Sequence, residues 1–300
     1  MSSLIIGGPT ATGKSALAIE LAKEYSAVIV SADAMTVYRG LDVGTAKPSQ
    51  EERQQVLHYG IDVREPTDPF SVGDFVKLVE TVQQHHQHVI IAGGTPYYLA
   101  ALVRPLAPLP ESDPAVRERL NAIQDPYVLL GQIDPEMAER LHPNDKVRVV
   151  RALEVYELTG KTLSWLQRQP PKREPIKAEI SWLDVDALRP RIGIRIEQMM
   201  ANGYLEECKN LIEEGVDLSC KPLRSFSYRW MIHHIQGGCT RKEAIEKTEI
   251  GTWHLARKQR TWARNMGWVV STEHQVRELA KECFSSEIIQ NESGNPINLR

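Results

Sequence analysis

Cysteine is scarce in this chain and scattered: Cys208, Cys220, Cys239 and Cys283 form no C-x-x-C pair. That spacing argues against a zinc site and a disulfide framework, and makes a reducing, cytoplasmic compartment the expectation. Long apolar runs are missing too. Nowhere do about 18 apolar residues follow one another, so a membrane-spanning helix is excluded on length. The opening Met1-Ser2-Ser3-Leu4-Ile5-Ile6-Gly7 has no basic segment and only a short apolar run before glycine, which does not read as a secretory leader. Positive charge is not in excess either, since 36 Lys and Arg face 39 Asp and Glu. Any surface for nucleic acid must then be local.

The 300 residues exceed the commonest single-domain size, and 42% of them are hydrophobic, enough for a large core with an inserted or appended part. Leu4 to Ile6 reads as a buried strand, Gly7 to Gly13 as a loop, and Ala16, Leu17, Ile19, Leu21 and Ala22 as a helix face. Further strands are expected at Ala27 to Ser31 and at Val89 to Ala92, the latter running into Gly93-Gly94-Thr95. Strands alternating with helices predict βαβ units and a parallel sheet. At Pro105, Pro108, Pro110 and Pro114 the composition turns to proline and acid. Short helices are expected at Val116 to Ile123 and Pro135 to Leu141, and a longer one at Val147 to Leu158. Pro170-Pro171-Lys172-Arg173-Glu174-Pro175 reads as a return linker. The expected organisation is a core over 1–106, a helical insertion over 107–175, and the rest of the core over 176–286. In that last part the apolar spacing is helical and Gly203 and Gly215 punctuate it. Residues 287–300 are expected to be a frayed tail.

Gly8-Pro9-Thr10-Ala11-Thr12-Gly13-Lys14-Ser15 matches the phosphate-loop pattern G-x-x-x-x-G-K-[ST], and it stands between a strand and a helix as that motif requires. Glycines let backbone N–H groups wrap a phosphate, the helix N-terminus adds a favourable dipole, Lys14 supplies charge, and Ser15 can ligate Mg²⁺. The fold class this predicts is α/β, a P-loop NTPase-like parallel sheet core with a helical insertion subdomain and a helical C-terminal part. The loop alone does not name a reaction. The next strand ends in Ser31-Ala32-Asp33, and in open α/β sheets such ends face the ligand crevice. Asp33 is therefore either a functional carboxylate or a turn cap. No apolar strand ends in an Asp-Glu pair and no Asn-Lys-x-Asp guanine reader occurs, which weakens an NTPase reading.

Five stretches, in order, resemble tRNA dimethylallyltransferases: SADAMTVYRGLDVGTAKP at 31–48, AGGTPYY at 92–98, LHPNDKVRVVRALEVYELTGKTLS at 141–164, RIGIR at 191–195 and ARKQRTWAR at 256–264. The resemblance implies transfer of a dimethylallyl group from dimethylallyl diphosphate to the exocyclic N6 of the adenine 3′ of a tRNA anticodon. The phosphate loop then holds the diphosphate, with Mg²⁺ and without ATP consumption. By the same resemblance Asp33 is the base, and Thr10, Lys14 and Arg195 attend the leaving group. The tRNA contacts it implies are Asp33, Ala34, Met35, Thr36, Thr95, Arg117, Val147, Arg148, Val149, Val150, Arg151, Trp253, Arg257 and Lys258. The implied partner is the anticodon stem-loop, and a monomer is expected.

The charge pattern agrees with that assignment. Lys146, Arg148 and Arg151 fall in an acid-free hexamer, and Arg257, Lys258, Arg260 and Arg264 lie among Trp253, His254 and Trp262 with no acid between. Such a mixture suits phosphate contacts and base stacking, although a solvated helix face is the plainer reading of either run. His85, His86 and His88 read as a polar helix end rather than a metal site. The chain departs from the family at Ala34, where Ser is usual, at Thr36, where Gln is usual, and at Pro96-Tyr97, where Gly-Leu is usual. Ser227 replaces a glycine, Trp253 an arginine, and Ala263 a bulky apolar residue. These departures bear on which tRNAs are accepted. An adenylate isopentenyltransferase, a small-molecule kinase and an RNA-binding protein without activity are the alternatives.

Overall fold

The computed structural model describes residues 2–171, 173–178 and 180–285; the expected tail over 287–300 lies outside them. Six strands form one parallel sheet: β1 (Ser2–Gly7), β2 (Val28–Ser31), β3 (His58–Tyr59), β4 (His88–Gly93), β5 (Ile180–Leu183) and β6 (Val270–Ser271). Their order is β3-β2-β4-β1-β5-β6. The central strands are apolar on both faces because helices cover both. The Lys14–Glu24 helix buries Leu17, Ala18 and Leu21 on one cluster, and the Glu273–Ser285 helix adds Val276, Ala280 and Phe284 to it.

The short strands β3, β5 and β6 are not among the elements that periodicity predicts. They are two to four residues long, too short for a pattern to mark, and only pairing across the sheet makes them strands. The Val72–His85 helix ends at the histidines as expected, although His88 already belongs to β4, and it opens on a capping box in which the Ser71 side chain accepts from Asp74 N–H. Among the three histidines, His86 Nε2 lies 2.7 Å from the Tyr59 hydroxyl and His88 Nδ1 lies 2.9 Å from the Tyr25 carbonyl oxygen. No helix among the described residues is long and apolar enough to cross a membrane.

The chain divides into two compact units, one of Val103–Ile176 and one of the remainder. The smaller unit is helical, with an apolar centre made by Leu120, Leu130, Met137, Val149 and Leu153. Its Pro114–Asn121, Pro126–Ile133 and Pro135–Arg140 helices each begin with proline after an aspartate cap. A proline there loses no helical hydrogen bond, and the carboxylate satisfies free N–H groups. In the larger unit a second cluster joins Val37, Leu41, Tyr204, Tyr228 and Met231. It binds the segment after β2 to the helices Tyr204–Glu213, Phe226–Ile235 and Arg241–Asn265.

Candidate active site

Register sets the site. In β1 and β4 Gly7 pairs with Gly93, and in β2 and β4 Ser31 pairs with Ala92, so three adjacent strands end level. The phosphate loop leaves the first, Asp33 follows the second, and Thr95 follows the third. Gly13, at φ 95°, turns the loop into its helix, a backbone region that favours glycine. Gly93 has a different reason to be glycine: a Cβ there would stand 2.2 Å from the Ala32 carbonyl oxygen.

The turns at the strand ends are tied to one another. Thr95 donates its N–H to the Ala32 carbonyl at 3.1 Å, and its hydroxyl accepts from Ala34 N–H at 3.0 Å. An Asp33 carboxylate oxygen accepts from Met35 N–H at 2.8 Å, which fixes the turn. The Thr12 hydroxyl and Lys14 ammonium both donate to the Pro9 carbonyl, at 3.0 and 3.1 Å. Arg191 donates to the Ala11 carbonyl at 2.9 Å, bracing the loop from outside.

A cavity of about 150 Å³ opens over these strand ends, lined by Thr10, Lys14, Ser15, Asp33 and Arg195 on its charged side. Ala18, Ile29, Ile196, Met199, Phe226 and Leu255 supply apolar wall. Met35 and Thr36 also line it; Thr36 is buried and shares a 2.9 Å hydrogen bond with Ser31. Removal from water pulls the Lys14 ammonium down to about 8; Arg195 pushes it the same way and Asp33 opposes both. Arg195 is likewise lowered by burial against the pull of Asp33. Two cations held together in a cavity are the electrostatic signature of a site for an anion.

Two residues of the site, Gln259 within the ARKQRTWAR stretch and Glu207 outside any quoted stretch, have no role that the sequence assigns. Gln259 is buried; its amide nitrogen donates to the Gly94 carbonyl at 2.5 Å and its amide oxygen accepts from Thr10 N–H at 3.2 Å. It ties the phosphate loop to the Gly93-Gly94-Thr95 turn. Its sequence signals are its place inside the ARKQRTWAR stretch and the buried spacing Ala256, Gln259, Ala263. Glu207 accepts from the N–H groups of Asp42, Val43 and Gly44 at 2.8, 2.6 and 3.0 Å, and from the Tyr228 hydroxyl at 2.7 Å. That holds the loop whose Thr45 carbonyl receives Arg195 at 3.4 Å.

Several residues expected at the tRNA surface sit differently. Val149 and Val150 are 0% and 5% exposed, because they lie on the inward face of the Lys146–Thr159 helix, and their side chains are not available at the surface. Val147 is exposed, and Arg148 pairs with Asp145 at 3.2 Å. Arg117 and Arg151 both bind the fully buried Glu154, at 3.0 and 2.6 Å. Arg260 is not free of acid as its neighbours in sequence suggest: Asp184, far away in sequence, pairs with it at 2.7 Å. Arg257, Lys258 and Arg264 are exposed and Trp253 is half-buried.

Sheet order, phosphate loop and cation-lined cavity together define a parallel α/β protein of the phosphate-loop class. The model of the IPP transferase family matches residues 36–266. The chain belongs to the IPP transferase family. The tRNA dimethylallyltransferase 1 of Trichlorobacter lovleyi is 39% identical over 289 residues, covering 90% of this chain and 94% of that one. The tRNA dimethylallyltransferase of Synechococcus elongatus is 39% identical over 269 residues, covering 87% of each. The crystal structure of the full-length tRNA isopentenylpyrophosphate transferase from Bacillus halodurans matches with a TM-score of 0.66 at 29% identity, covering 97% of this chain and 99% of that one. A eukaryotic dimethylallyltransferase acting on tRNA shares the fold, with a TM-score of 0.80 at 22% identity, covering 100% of this chain and 81% of that one.

Proposed function

We propose that this chain transfers a dimethylallyl group from dimethylallyl diphosphate to N6 of the adenine 3′ of the anticodon in tRNA, in the cytoplasm. The observation that carries the reading is a single cavity with Lys14, Arg195 and Asp33 on one side and an apolar wall on the other. That combination suits a short hydrocarbon on a diphosphate. The amine nitrogen attacks the allylic carbon, the carbon–oxygen bond breaks, and its electron pair leaves on the diphosphate. Lys14, Arg195, Thr10 and the loop N–H groups face the charge that builds there. The amine becomes cationic as it is alkylated and must lose a proton, for which Asp33 is the carboxylate in the cavity.

Mg²⁺ fits the donor set. Ser15 lines the cavity, and no group of three His, Cys, Asp or Glu suited to a metal occurs among the described residues. Magnesium is commonly held by one or two protein oxygens with phosphates and water completing its shell. When bound it would neutralise diphosphate charge, and the Ser15 hydroxyl would be its protein ligand.

The test is incubation of the full chain with labelled dimethylallyl diphosphate and, separately, unmodified tRNA or AMP, with ATP turnover measured alongside. Label in tRNA at the base 3′ of the anticodon is the expected result. Label in AMP alone, or ATP turnover without prenyl transfer, would overturn it.

A further inference from the structure

The cavity over the strand ends is not uniform along its length. The helix Arg241–Asn265 runs beside it, and Thr248, Thr252, Leu255 and Gln259, spaced four, three and four residues apart, all line it, as one face of a helix requires. Gln259 holds the phosphate loop through Thr10, and Thr248 stands about three turns away, or about 16 Å along the axis. That span is of the order of an extended five-carbon diphosphate with a hydrogen bond at each end. Between the two ends lie Ile196, Met199 and Leu255, which supply apolar wall.

The end away from the loop carries hydroxyls without partners. Tyr204 is 0% and Thr248 2% exposed, both line the cavity, and neither hydroxyl has a hydrogen-bond partner among the described residues. Tyr228, edge-on to Tyr204 with ring centroids 5.7 Å apart, differs, because its hydroxyl donates to Glu207 at 2.7 Å. Burial pushes the Tyr204 phenol well above its ordinary value, so it stays a neutral group able both to donate and to accept. Ser227, where glycine is usual in the family, also lines the cavity and tempers that rise, while its own hydroxyl meets Ser225 at 3.0 Å. The Tyr204 ring packs on Gly44, where a Cβ would stand 2.4 Å from it, and the next residue, Thr45, receives Arg195 through its carbonyl at 3.4 Å. The hydroxyl end and the charged end therefore border one space. A chain end of hydrocarbon alone would leave two buried hydroxyls unsatisfied, which is costly.

The geometry points to a prenyl donor with a hydroxyl on one of its terminal methyls, accepted alongside dimethylallyl diphosphate and favoured over it, with Tyr204 and Thr248 holding that hydroxyl. This deepens the proposed function and rests on its reading of the cavity as a prenyl diphosphate site. The bond changes are the same for both donors. The amine nitrogen bonds to the allylic carbon, the carbon–oxygen bond breaks with its electron pair leaving on the diphosphate, and the amine proton passes to Asp33. The terminal hydroxyl goes intact into the product. Discrimination arises because one donor pairs the buried groups and the other strands them.

The test gives the full chain and unmodified tRNA equal amounts of the two donors and counts the two modified adenosines by mass spectrometry after digestion. Wild type should favour the hydroxylated donor by about ten- to a hundredfold, the effect of pairing a buried polar group that is otherwise unmet. Tyr204→Phe and Thr248→Val, which remove a hydroxyl and keep the shape, should each lower that ratio by at least about fivefold. Both donors compete within one sample, so the ratio is insensitive to partial loss of folded protein. A wild-type ratio at or below one, or a ratio unaltered in both variants, overturns the proposal. Absence of both products would count against the proposed function, and the subsite is then read by calorimetric titration of the chain with each donor alone. Tighter binding of the hydroxylated donor that is lost in Tyr204→Phe upholds it, and equal affinities overturn it.

Discussion

Arg260 grips Asp184 with two parallel hydrogen bonds, Nη2 to Oδ1 at 2.7 Å and Nε to Oδ2 at 2.8 Å. A run of basic residues that looks uniform in sequence is thereby divided into a structural member and free ones. Replacing Arg257 and Lys258 together by Ala should flatten the salt dependence of tRNA binding by about one unit of slope for each phosphate no longer neutralised. Arg260→Ala should leave the slope alone and lower stability, since it strands the Asp184 carboxylate. Equal slopes for wild type and both variants would assign the whole run to a solvated face.

Asp33→Asn keeps size and loses basicity. Prenyl transfer in a single turnover should slow by about 10² to 10⁴ while a donor analogue still binds. Transfer near the wild-type rate would make Asp33 a turn-former, the role its hydrogen bond from Met35 already gives it.

Lys14 is lowered to about 8 by burial first and Arg195 second. In the empty site its charge is therefore lost as pH rises through about 8, whereas a bound diphosphate favours the ammonium and raises that value. Donor-analogue affinity should be level below about pH 8 and fall above it, by at most about tenfold per pH unit, with proton uptake on binding. Calorimetry in buffers of different ionisation enthalpy measures the uptake. Lys14→Arg, charged throughout, should flatten the profile; an equally steep fall in that variant would place the titration elsewhere.

Gln259→Leu keeps the volume but leaves the Gly94 carbonyl and Thr10 N–H unpaired. A stability loss of about 1–3 kcal/mol is expected, with weaker donor binding because the phosphate loop loses its tie to the opposite turn. Denaturant unfolding and donor titration report both, and an unchanged donor affinity would show the loop holding its shape without the glutamine.

In the smaller unit, Glu154 is 0% exposed and accepts from Ser112, the Asp113 N–H, Arg117 and Arg151. Burial alone would raise its pKa, and these partners reverse that, so the net shift is downward. A lowered carboxylate contributes stability above its unfolded pKa and loses it as pH falls through the folded value. Glu154→Gln should cost about 3–5 kcal/mol and speed amide hydrogen exchange across the Lys146–Thr159 helix. Unaltered exchange there would remove Glu154 as its anchor.

The sequence by itself determined the phosphate loop, the strand and helix around it, and the placing of Asp33 and Thr95 at strand ends. These depend on local spacing: glycine positions, an apolar run, a helical period. That Arg195 attends the loop was implied only by the family resemblance of the RIGIR stretch, since spacing and composition by themselves read it as a solvated helix charge. Tertiary structure alone decided which charges are free, because Asp184 and Arg260 are 76 residues apart and no local pattern pairs them. It decided that Val149 and Val150 face inward, since a run of valine and arginine carries no sign of which side meets the core. It decided β5 and β6, which are strands only because neighbours complete their hydrogen bonds. The roles of Gln259 and Glu207 have the same origin: each is defined by backbone groups of a distant loop that the fold brings to it.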